Sequence, residues 1–202
     1  MTRAVQLPAP GRGAYDRSLT RAERHAEHRE RLLFATAEVM REGSPTIAKI
    51  VERAGVSRST FYEFFDSPEH ILMQLEQRFL KVLETALAGA LTQARTPLER
   101  VRVVARAWLD SIEAHRVEAL VALTRRLEAK QLSPAADALL VMLRRVAQAA
   151  KSDGAGSLAA TDEVSLLAAA AAVEAISRHH LNVAALRDGA RVISDTIIKL
   201  LR

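Results

Sequence analysis

A chain of 202 residues, 49% hydrophobic and 26% charged, carries enough apolar material for one sizeable core, which excludes disorder over most of its length. With no Cys at all, disulfides, thiolate nucleophiles and Cys-ligated zinc are excluded. The formal net charge of +5 suits a polyanionic partner, although basic soluble proteins are common enough that charge alone decides nothing.

The apolar residues are mainly Ala, Leu and Val, and aromatics make up only 4%. That favours helices over sheet, so an all-α fold of about nine helices is expected. Residues 1–18 mix Arg with Pro8, Pro10, Gly11 and Gly13 and have no usable apolar period, which predicts a flexible basic arm rather than a targeting segment. The expected compartment is the cytoplasm. The longest apolar stretch, Leu166 to Val173, is far short of the roughly 20 residues that span a bilayer, so no membrane partner is expected.

A DNA-binding domain is expected over residues 19–66. The first helix begins in the Arg-, Glu- and His-rich segment from Thr20 and continues into Leu32, Leu33, Ala35, Thr36, Val39 and Met40. Gly43 and Pro45 stop it, and Thr46 caps a second helix with Ile47, Ile50, Val51 and Ala54 on one face. After Gly55 and Val56, Ser57 caps a third helix from Arg58 to about Phe65, with Phe61 and Phe65 on its inner face. Asp66, Ser67 and Pro68 separate it from a long fourth helix.

Residues 67–202 are expected to form a helical effector-binding and dimerisation domain. Thr96, Pro97 and Glu99 open a fifth helix, and a sixth runs from near His115 to Lys130. Ser133 and Pro134 open a seventh. Ser152 to Gly156 is read as a loop, Thr161, Asp162 and Glu163 open an eighth helix, and Arg187 to Gly189 separate it from a ninth.

The functional motif is the pair of short helices around Ala54, Gly55, Val56 and Ser57, the helix-turn-helix arrangement. Gly tolerates the left-handed turn, Val56 fills the wedge, and the second helix projects far enough to enter a DNA major groove about 12 Å wide. The run from Ile50 to Phe65, followed by Asp66 to Leu72, resembles the tetracycline-repressor (TetR) family of bacterial regulators. Counting the preceding helix, the match covers about a quarter of the chain.

The resemblance implies a dimer on a palindromic double-stranded operator, usually as a repressor released by a small-molecule effector of unknown identity. No cofactor is expected. On the matching positions it places Arg58 and Ser59 at base edges and Thr60 and Tyr62 at phosphates, while Thr46 and Ser57 donate to phosphate or cap. The chain departs from the pattern at Phe64, where His is usual, at Pro68 or its neighbours, where a Lys is lost, and at Ala48. It also has a shorter first loop with Ser44 and Pro45. Chemistry supports these roles independently, because the Arg58 fork suits guanine O6 and N7 and hydroxyls suit phosphate oxygens.

Over residues 1–70 eleven Lys and Arg face ten Asp and Glu, so the module is hardly basic. Compensation is expected from Arg12, Arg17, Arg21 and Arg24, following the backbone or entering the minor groove. His25 and His28 have a metal-like spacing but no third ligand, and adjacent His179 and His180 point apart, so all four are read as structural or solvated and no metal is expected. Trp108, His115 and Met142 are the candidate effector-pocket residues among mostly aliphatic helices. Val164, Leu167 and Ala171 on the eighth helix, with Ile193, Ile197 and Leu200 on the ninth, are the candidate dimer interface, a four-helix seam across a two-fold axis. No phosphate loop, strand-borne nucleophile or metal set supports an enzyme. The competing reading is a helical ligand- or partner-binding module without specific DNA recognition.

Overall fold

The computed structural model describes residues 20–92, 94–124, 132–152, 162–182 and 188–201. The expected arm, the 125–130 end of the sixth helix and nearly all of the 152–156 loop lie outside the described residues. Among those described, every regular element is a helix: α1 (Arg21–Glu42), α2 (Ile47–Ala54), α3 (Arg58–Tyr62), α4 (Pro68–Leu91), α5 (Pro97–Ala114), α6 (Arg116–Thr124), α7 (Pro134–Ser152), α8 (Glu163–Asn182) and α9 (Gly189–Leu200). None of these is long and apolar enough to cross a membrane.

Local chemistry accounts for most helix starts. Thr20 and Glu23 form a reciprocal capping box, as do Thr96 and Glu99 beside Pro97. Thr46, Ser57 and Ser67 each accept a backbone N–H from three residues on. α3 is shorter than expected and ends at Tyr62. Phe65 N–H still donates to Phe61 O at 3.0 Å, so the expected i, i+4 relation of the two rings survives the end of the helix.

The chain divides into two compact units, one up to Leu75 and one from Glu76, with the division inside α4. In the first unit α1 packs on α2 and α2 on α3. Leu32, Leu33, Val39, Ile50, Ala54, Phe61, Phe65, Ile71 and Leu75 are buried there. In the second, α5 packs on α9, and α7 and α9 pack on α8. Their core runs from Phe79, Leu83 and Leu87 through Trp108, Ile112, Leu139 and Leu143 to Val173, Ile193 and Ile197. Trp108 Nε1 donates to Ser177 Oγ at 2.8 Å, and that hydroxyl donates to Val173 O at 2.7 Å, so both buried polar groups are paired.

Candidate nucleic-acid interface

Gly55 adopts φ 63°, ψ 38°, the left-handed conformation anticipated from its place between two short apolar-faced helices. Beyond it Ser57 Oγ accepts from Thr60 N–H at 3.0 Å and lies 2.7 Å from Ser59 Oγ and 2.9 Å from Thr60 Oγ1. These hydroxyls cluster at the start of α3. Phe61 and Phe65 are fully buried, whereas Arg58 and Ser59 are exposed and Tyr62 retains 58% of its surface. The Tyr62 ring stands edge-on to Phe61 at 5.6 Å, so one ring edge is packed while more than half of the residue's surface stays exposed.

The expected contact residues therefore fall into three groups. Arg58, Ser59 and Tyr62 form an exposed face on α3, with the half-buried Thr60 and the capping Ser57 at its start. Thr46 is exposed one helix earlier, and Arg21 is exposed on the first turn of α1. Arg24, on that same turn, is half-buried and already engaged within the chain. Lys49 is a contact candidate that the motif did not single out. It is exposed three residues after Thr46, a position readable from helical spacing alone.

Charge is distributed unevenly among interactions. Over residues 20–75, eight Lys and Arg face nine Asp and Glu. Several of these acids are engaged: Glu23 in its capping box, Glu27 with Arg31 at 3.9 Å, and Glu42 and Glu38 with Arg53 at 2.7 and 3.4 Å. Arg53 is thus held by its own chain, and its pKa is raised chiefly by the Glu42 hydrogen bond. Arg58 makes no hydrogen bond or ion pair with the described residues, which leaves its planar fork available. His25, expected on a solvated face, is exposed but packs against Phe64, the rings tilted by 46° with centroids 4.3 Å apart. No group of three or more potential metal ligands occurs among the described residues.

The second unit rearranges the remaining expectations. A cavity of about 280 Å³ is lined by Glu84, Ala88, Ala138, Val141, Met142 and Arg145. Of the three residues expected in a pocket only Met142 lines it. Trp108 is consumed by the core and its bond to Ser177, and His115 ends α5.

On α8, Val164 and Leu167 retain 74% and 40% of their surface, and Ala168, Ala171 and Ala175 continue this exposed face. Leu200 is 37% exposed, but Ile193 and Ile197 are 1% and 0% exposed. These two face the unit's own core, so they offer no area to a partner chain. The outward positions of α9 are Arg191, Asp195 and Lys199. An apolar stripe establishes that a helix face is covered, not by what.

No protein-family model and no curated protein sequence matches the chain. Solved structures do match over most of it. The fatty acid degradation regulator FadR from Bacillus halodurans aligns with a TM-score of 0.70 at 15% identity, covering 86% of this chain and 94% of that one. The TetR-family transcriptional regulator PfmR from Thermus thermophilus aligns with a TM-score of 0.63 at 22% identity, covering 85% and 97%. RolR, solved in complex with resorcinol, aligns with a TM-score of 0.51 at 20% identity, covering 89% of each chain. The chain, whose regular elements among the described residues are all helices, thus has the fold of the TetR-family transcriptional regulators.

Proposed function

We propose that the protein is a DNA-binding transcriptional regulator, a homodimeric repressor that leaves a palindromic operator when a small-molecule effector binds. The observation that carries this reading is the two-sidedness of α3. Its inner face is locked by the fully buried Phe61, with Phe65 just beyond its end, while Arg58, Ser59 and Tyr62 stand exposed beside a hydroxyl cluster. A short helix with an available guanidinium and several hydroxyls has the chemistry for guanine edges and phosphate oxygens.

The fold shared with transcriptional regulators supports the same reading, and two copies would present α3 to successive major grooves, about 34–36 Å apart. The exposed α8 face of Val164, Leu167 and Ala171 is the surface read as joining them. For the effector, the reading takes the cavity floored by Ala88, Ala138, Val141 and Met142, where small apolar molecules fit and Glu84 and Arg145 supply charge.

The test is selection of bound duplexes from a randomised DNA pool, with Arg58→Ala in parallel. A palindrome with half-sites one helical turn apart is expected. The variant should relax it at one position per half-site, by about 1–3 kcal/mol of discrimination. Weak, salt-sensitive binding with no preferred sequence would replace this reading with the ligand- or partner-binding module.

A further inference from the structure

α1 grips the corner after α3 at two points one helical turn apart. The His25 ring packs at a tilt against Phe64, and the Arg29 guanidinium lies 5.9 Å from the centre of the Phe65 ring. Arg29 also donates to Gln74 Oε1 on α4. Gln74 Nε2 is 2.9 Å from His70 Nε2, and His70 Nδ1 is 3.2 Å from Asp66 Oδ2. The His70 ring stands edge-on to Phe65 at 5.8 Å. Four polar side chains therefore run in sequence from a cation on α1 to an anion at the corner.

Donor and acceptor rules give this sequence a direction. Arg has no acceptor, so the Gln74 oxygen must face Arg29 and its NH₂ must face His70. Neutral His70 then has two choices. With the proton on Nε2 it would satisfy the Asp66 backbone N–H, 3.3 Å from Nδ1, but set N–H against NH₂ at Gln74. With the proton on Nδ1 it gives up the Asp66 backbone N–H but accepts from Gln74 and donates to the Asp66 carboxylate, two partners, one of them charged, against one.

We infer that Arg29, acting through Gln74, holds neutral His70 in the Nδ1–H tautomer, and that this relay positions the corner carrying α3 for DNA. The inference rests on the regulator reading above. The Asp66 side chain is 93% exposed, so burial cannot hold it, and the directed hydrogen bonds are what tie it to α1. Arg29, Gln74 and His70 are positioning residues here, acting on base contacts made by α3.

The test uses the full chain, with ring-nitrogen NMR of His70 at pH 8 and affinity for the selected duplex. The wild type and Arg29→Lys, which keeps a donor-only side chain, should show Nδ1–H. Gln74→Leu and Arg29→Ala should shift His70 toward Nε2–H and bind the duplex about three- to tenfold more weakly. Gln74→Leu separates the relay from any direct phosphate contact of Arg29. A wild-type Nε2–H tautomer overturns the relay, and an affinity within twofold of wild type for Gln74→Leu overturns its positioning role. If the wild type selects no duplex, the regulator reading falls and takes the positioning role with it, while the tautomer spectrum still reports on the relay.

Discussion

A Cβ added to Gly55 would stand 3.1 Å from Nη2 of Arg31, so a side chain of α1 closes the underside of the turn between α2 and α3. Two penalties would meet Gly55→Ala, and their sizes differ. The contact involves the far end of a flexible side chain and can be relieved by a small shift. The left-handed backbone at φ 63° cannot be relieved, and it costs a non-glycine residue roughly 1–2 kcal/mol. The expected result is a loss of about that size in thermal or urea unfolding. Gly55→Ala combined with Arg31→Ala should recover little of it. Full recovery in the double variant would assign the cost to the contact instead.

Ser177 and Trp108, 69 positions apart, share a buried hydrogen bond. Ser177→Ala removes the acceptor and orphans an indole N–H in the core, which is expected to cost about 1–3 kcal/mol. Ser177→Thr keeps the hydroxyl but adds a methyl group, so any loss it shows reports packing. Denaturant unfolding of both variants separates the two effects, and an Ala variant as stable as wild type would remove the hydrogen bond from the list of stabilising contacts.

Falling and rising pH should act on different carboxyls. The Arg95 and Thr96 backbone N–H groups, at 3.0 and 3.1 Å, hold Glu99 below its usual value. A carboxyl lowered on folding contributes stability above its unfolded pKa and loses it as pH falls through the folded one. Glu99→Gln keeps an acceptor without titrating, so its melting temperature should fall less steeply on acidification. Asp137 has the opposite sign, because burial first and Glu174 second push it up. Its contribution is present at low pH and is lost as pH rises through the folded value. The melting-temperature difference between Asp137→Asn and wild type should therefore grow in favour of the variant from pH 3 to pH 8. A difference that shrinks would refute the assignment.

The α8 face predicts an assembly phenotype without a folding one. Leu167 is 40% exposed within its own chain, so Leu167→Glu should leave the helical circular dichroism unchanged. In sedimentation it should shift the dimer proposed above to monomer and weaken duplex binding. Ile197→Glu should instead unfold the second unit, because Ile197 lies in that unit's core. A Leu167→Glu protein that still sediments as a dimer would move the seam elsewhere.

Helix starts and the turn were legible in the sequence because their determinants lie within four residues of one another. Thr20 with Glu23, Thr46, Ser57 and Thr96 with Glu99 cap the helices they precede, and Gly55 takes the left-handed turn expected of it. The division of α3 into a buried Phe61 face and an exposed Arg58 and Tyr62 face followed from the same helical spacing.

What only the tertiary structure decided is which neighbour covers each face. Ile193 and Ile197 belong to the core, Trp108 pairs with Ser177 across 69 positions, and Arg29 meets Gln74 across 45. Periodicity and capping are properties of a single helix and are written in adjacent residues. The partner of a helix face depends on how distant segments cross, and burial of any apolar surface stabilises by a similar amount whichever segment covers it.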